Sequence, residues 1–169
     1  LSTGDILQVS VGGVANAINI SNFIATNATA SSGAATLSSD NLGSIISLIM
    51  SSDGAYVLIG GAGVDLLTGG RADDTISGFN NDDILDGRLG SNILTGGNGN
   101  DTFKVTSGVD TITDLSTGDI LQVSSGGVAN AINISNFIAT SETSNSGTAN
   151  LNSGDSGSTV TLTNSTTGA

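Results

Sequence analysis

A large apolar side chain recurs every nine residues through the middle of the chain: Leu67, Ile76, Leu85, Leu94, Phe103, Ile112 and Leu121. The residues beside each one are mostly polar or small, so each repeat predicts a short strand that sends one side chain into a shared core. Glycines crowd the positions before each strand and predict tight turns. Strict self-similarity at a short period is the mark of a solenoid, in which each turn of chain stacks on the last. The segments on either side also read as β. Gly12-Gly13 and Gly126-Gly127 are turn signals, and residues 17–23 (AINISNF) alternate as a half-buried strand should. Residues 45–50 (IISLIM) are the most apolar run and predict a buried strand. Their counterpart, 159–164 (TVTLTN), is apolar on one face only and predicts a strand at a surface or edge. No stretch approaches the roughly 18 apolar residues of a membrane-spanning helix.

The polar positions repeat as strictly as the apolar ones. Two residues before each apolar position stands Asp65, Asp74, Asp83, Asn92, Asp101, Asp110 or Asp119. The core units read GGAGVDLLT from Gly60, GGRADDTIS from Gly69, GFNNDDILD from Gly78, GRLGSNILT from Gly87 and GGNGNDTFK from Gly96, with looser units from Val105 and Asp114. One carboxylate per turn at a fixed place in a glycine-rich loop is a stack of cation sites. Calcium takes six to eight hard oxygen ligands, which carboxylates and backbone carbonyls supply. Glycine permits the tight turn and frees those carbonyls.

This pattern resembles the calcium-binding nonapeptide of the RTX (repeats-in-toxin) family, G-G-x-G-x-D-x-U-x, where U is a large apolar residue. The first and fifth units match every defined position, with Gly61, Gly63, Gly97 and Gly99 among them. The others depart at Ala72, Phe79, Asn81, Arg88 and Asn92. The resemblance implies an all-β chain: a right-handed parallel β-roll (the RTX solenoid), two nonapeptides to a coil, flanked by two copies of a β-rich segment. It implies several calcium ions held between loops two units apart. Asp65 would share an ion with Asp83, Asp83 with Asp101, and Asp101 with Asp119. On the other side Asp74 would pair with Asn92, and Asn92 with Asp110. Residues 114–123 also resemble the strand pair that closes such rolls, with Leu115 in place of the usual Phe.

Residues 1–26 reappear as 115–140 with one change, Val11 against Ser125. The domains expected are therefore a first β-rich segment (1–55), the roll (56–122) and a second β-rich copy (115–169) that overlaps the end of the roll. The opening residues read as the tail of a ladder, and the whole as a piece of an array with a unit of 114 residues (115 − 1). Head-to-tail self-association or tandem continuity of such units is expected.

Charge narrows the partners. The chain carries 15 acidic and 3 basic residues for a net charge of −12. Fourteen of the acids are aspartate and only Glu142 is glutamate, which points to turn residues and ligands rather than a solvated acidic face. Nucleic acid and anionic membrane are poor partners for such a chain. Cys, His, Pro and Trp are absent, so zinc, iron and copper lack their usual ligands, and catalytic triads lack their base. An enzyme is not expected. With Tyr56 and four Phe as the only aromatics, sugar stacking has little to work with. The function expected is a calcium-stabilised structural repeat of an extracellular bacterial surface-layer, filament or adhesin protein. The alternative is an accessory RTX module of a type I-secreted enzyme or toxin.

Overall fold

The computed structural model describes residues 1–2, 5–26, 29–51, 54–154 and 158–162. The sequence readings that fall on 3–4 and on 163–169 lie outside them. Among the described residues the regular structure is all strand, and no helix is long and apolar enough to cross a membrane.

Before the ladder come β1 (Gln8–Val9), β2 (Val14–Ile20), β3 (Asn22–Ile24), β4 (Ala30–Ser31), β5 (Ala34–Ser39) and β6 (Ile45–Ser47). The ladder itself forms β7 (Tyr56–Gly61), β8 (Leu66–Thr68), β9 (Thr75–Asn80), β10 (Ile84–Asp86), β11 (Ile93–Asn98), β12 (Thr102–Val105) and β13 (Gly108–Ile112). After it come β14 (Ile120–Val123), β15 (Gly127–Ala131), β16 (Ser144–Asn145) and β17 (Thr148–Leu151). Odd and even ladder strands go to opposite faces. One large sheet has seven strands in the order β16-β14-β12-β10-β8-β6-β3, the other has eight in the order β17-β15-β13-β11-β9-β7-β5-β2, and β1 and β4 form a separate pair. Every pairing is parallel, as expected of a β-roll.

The register follows the sequence period. Leu67, Leu85, Phe103 and Leu121 are mutual partners on one face, and Leu58, Ile76, Leu94 and Ile112 on the other. All eight are buried, so the two columns form a continuous core between the sheets. Successive strands of one sheet are a whole coil apart, so the chain crosses to the other face and back between them. The parallel ladder thus needs no helix to return the chain.

The flanking segments continue the same two sheets. β5 and β6 pair directly with β7 and β8, and Phe23, Leu37 and Ile46 extend the core without a break. At the other end β15 and β16 pair with β13 and β14. The two sequence copies share the same register at several pairs. Gln8 faces Ala30 as Gln122 faces Ser144, and Val14 faces Ala34 as Val128 faces Thr148. Ile24 faces Ser47 as Ile138 faces Thr161.

Three details differ from the sequence reading. Residues 17–23 are not one straight strand. Asn19 has a positive φ of 55° at a register shift in β2 between Ala17 and Ile20, just before the chain passes to β3 in the other sheet, and Ile18 is exposed while Ile20 and Phe23 are buried. The apolar run from Ile45 is a three-residue strand followed by a turn, and Ile45, Ile49 and Met50 are exposed. The segment 114–123 does not close the stack, because β14 has a neighbour on each side, β12 and β16.

Candidate metal sites

Each ladder residue but Asp110, which lies within β13, sits just before its strand, and all seven are almost fully buried. Exposure is 0–2% for Asp65, Asp74, Asp83, Asn92, Asp101, Asp110 and Asp119. A buried carboxylate must be satisfied, and the stacking of coils supplies half of what it needs. The backbone N–H of Asp65 donates to Asp83 Oδ1 at 2.8 Å, that of Asp83 to Asp101 Oδ1 at 2.9 Å, and that of Asp101 to Asp119 Oδ1 at 2.9 Å. On the other side Tyr56 donates to Asp74 (2.8 Å), Asp74 to Asn92 (2.8 Å) and Asn92 to Asp110 (3.3 Å). Apart from Tyr56 with Asp74, these are the residues that the resemblance sets side by side, one coil of 18 residues apart. They meet through a backbone hydrogen bond that uses one carboxylate oxygen.

The second oxygen is the chemically open one. Oδ2 of Asp65, Asp83 and Asp110 is buried with no hydrogen-bond partner. For Asp65 and Asp83 the first glycine of the same unit lies against it, and for Asp110 it is Gly87 of the coil before. A Cβ on Gly60 would come within 2.8 Å of Asp65 Oδ2 and would overlap the carbonyl oxygen of Gly78. A Cβ on Gly78 would overlap Asp83 Oδ2 and lie 2.7 Å from the carbonyl oxygen of Gly96. One on Gly69 would sit 2.6 Å from Asp74 Oδ2 and 2.7 Å from the carbonyl oxygen of Gly87. A carboxylate oxygen and the carbonyl of the next coil therefore converge on a space that only glycine leaves open. Among the described residues no three carboxylates cluster. A cation here would draw on one or two carboxylates and on carbonyls, the all-oxygen donor set that suits calcium.

Electrostatics states the same need. Burial pushes the carboxyl of Asp83 up to about 7, with the charges of Asp101 and Asp65 adding to it. Burial likewise raises Asp110 to about 7 and Asp101 to about 6, and it raises Asp65, Asp74 and Asp119. Buried like charges disfavour ionisation until a cation is supplied.

The sites are not equal. Asp119 Oδ2 accepts from the backbone N–H (2.7 Å) and hydroxyl (3.1 Å) of Ser116, and Asp74 Oδ2 accepts from Gly70 N–H at 2.7 Å. Gly63, Gly97 and Gly99 mark places where successive coils touch. A Cβ on them would overlap the backbone of Gly43, Phe79 and Asn81 respectively. Gly61, with a φ of 116°, serves the turn itself. The glycines that face the second side-chain atom of a ladder residue are instead Gly60, Gly69, Gly78, Gly87 and Gly96, and of these Gly60, Gly78 and Gly87 face the open oxygens. The sequence carried that signal, since the first position of the nonapeptide stays glycine in all five core units while the second becomes Phe79 and Arg88. Asp114 was also passed over. Its two oxygens accept from the N–H groups of Gly96 (3.0 Å) and Gly97 (2.8 Å), and it adds charge beside Asp101.

Three overlapping segments, 59–94, 77–112 and 95–126, match the family model of the RTX calcium-binding nonapeptide repeat (4 copies). No curated protein and no solved structure matches the chain.

Proposed function

We propose, from the premise that residues 59–126 are RTX calcium-binding nonapeptide repeats, that this chain is a calcium-stabilised structural repeat of an extracellular bacterial surface-layer, filament or adhesin protein. It folds and assembles on meeting calcium outside the cell, and it carries no catalytic activity of its own. The observation that carries the reading is the pair of buried, unpartnered Oδ2 atoms on Asp65 and Asp83, each against the first glycine of its unit. Each aspartate of the ladder, with the carbonyls of its turn, is a candidate ligand. Binding at an extracellular module lies at about 10⁻⁴–10⁻³ M, so calcium outside the cell would fill sites that stay empty within it.

Assembly is supported by the repeated register. Two segments 114 residues apart (122 − 8) make the same strand pairs, so a further copy can be added to the stack by the same contacts. The partner is thus the chain's own kind, in a tandem array or by head-to-tail contact of sheet edges. Electron microscopy and sedimentation with calcium and with chelator test this. Calcium-dependent filaments or sheets are expected. A species that folds with calcium yet stays monomeric at high concentration would favour the accessory-module reading.

A further inference from the structure

The ladder breaks its own rule at one place, Asn92. Its Oδ1 accepts the backbone N–H of Asp74 at 2.8 Å, as aspartate oxygens do at every other step. That bond fixes the orientation of the amide, because an N–H facing Nδ2 would be left without an acceptor. Nδ2 therefore occupies the place that Oδ2 holds in the other units. A Cβ on Gly87 would lie 2.6 Å from it, just as a Cβ on Gly69 would lie 2.6 Å from Asp74 Oδ2. From there Nδ2 donates to Asp110 Oδ1 at 2.7 Å and to the Leu89 carbonyl at 3.3 Å. Asp110 Oδ2 points at the same glycine, 2.7 Å from that Cβ, and has no partner.

An amide nitrogen has no lone pair to offer a metal, and its hydrogens present positive charge. We infer that Asn92 is a metal-free link in the ladder: its side-chain amide stands where a calcium ion would be held, and supplies Asp110 Oδ1 with a donor in the ion's place. The side built on Asp74, Asn92 and Asp110 is then interrupted, while the side built on Asp65, Asp83, Asp101 and Asp119 is continuous. This rests on the calcium reading given above. It adds that the number of ions is set by the oxygen or nitrogen at each ladder position, not by the number of repeats.

Exchanging the two atom types tests it. Asn92→Asp places a second free oxygen beside Asp110 Oδ2, and Asp83→Asn makes the opposite change on the continuous side. Bound calcium per chain is counted by equilibrium dialysis of the full chain against saturating calcium. Asn92→Asp should gain one ion, Asp83→Asn should lose one, and Asn92→Ala should match the parent. The inference is overturned if Asn92→Asp gains nothing or fails to fold in calcium, or if Asn92→Ala loses an ion. A parent chain that binds no calcium at all would instead remove the reading on which it rests.

Discussion

Phe79 holds a φ of 83°, a conformation that side chains other than glycine rarely accept. Asn81 (71°) and Arg88 (66°) do the same. These are three of the positions where the repeat departs from glycine, so the coil imposes its turn on residues that resist it. Left-handed backbone costs about 1–2 kcal/mol for an L-residue. Glycine would return about 0.4–1 kcal/mol of that through the freer unfolded chain. Phe79 is 51% exposed, so little burial is lost with it. Phe79→Gly should therefore raise the melting temperature in calcium by a few degrees. Gly97→Ala, one coil on, should lower it, because the new Cβ would overlap the Phe79 carbonyl. Thermal unfolding followed by circular dichroism reads both, and a fall for Phe79→Gly would mean that its ring is worth more than the strain. At this scale the aspartates were legible because they repeat, whereas Asp114 was not. Its carboxylate reaches back 18 residues to Gly96, a contact that no local pattern announces.

The strands of the roll could be read from sequence because each coil has the same length. The flanks could not, because their coils vary from 19 to 23 residues and no period survives. Their corner is made by Asn19 and Asn133 at a φ of 55°, where glycine would have been the visible sign. The turns between roll strands hold the aspartate columns, and these should titrate together. Asp83 and Asp110 stand near 7 and Asp101 near 6, against an unfolded value of about 3.9. The folded state thus holds more protons than the unfolded one. Stability from these groups is fully present below about pH 4 and is lost as pH rises to about 7. In chelator the urea midpoint should fall steadily across that window. A midpoint that is flat, or that climbs with pH, would show that the columns are satisfied without protons or metal.

Taken whole, the molecule is one stack, and its flanks contain none of the ladder ligands. β5 and β6 nevertheless share sheets and core with β7 and β8. In a solenoid each coil is held by its neighbours, so order gained in the roll passes outward through the strand pairs. Amide hydrogen exchange in β2, β5 and β6 should therefore slow when calcium is added. Protection confined to residues 56–122 would mean that the flanks fold independently. The fold class and the ladder were legible at this scale because one period governs both. The continuity of the flanks was hidden, since pairing across coils of unequal length leaves no repeat to count.

Calcium dependence of folding is the central claim. Stacked carboxylates are buried at a cost that short strands, most carrying one or two inward side chains, cannot offset alone at neutral pH. Far-UV circular dichroism of the chain at neutral pH, first in excess chelator and then in millimolar calcium, tests it most directly. The account predicts a largely unfolded spectrum that becomes a β spectrum on adding calcium. An unchanged β spectrum in chelator would contradict it.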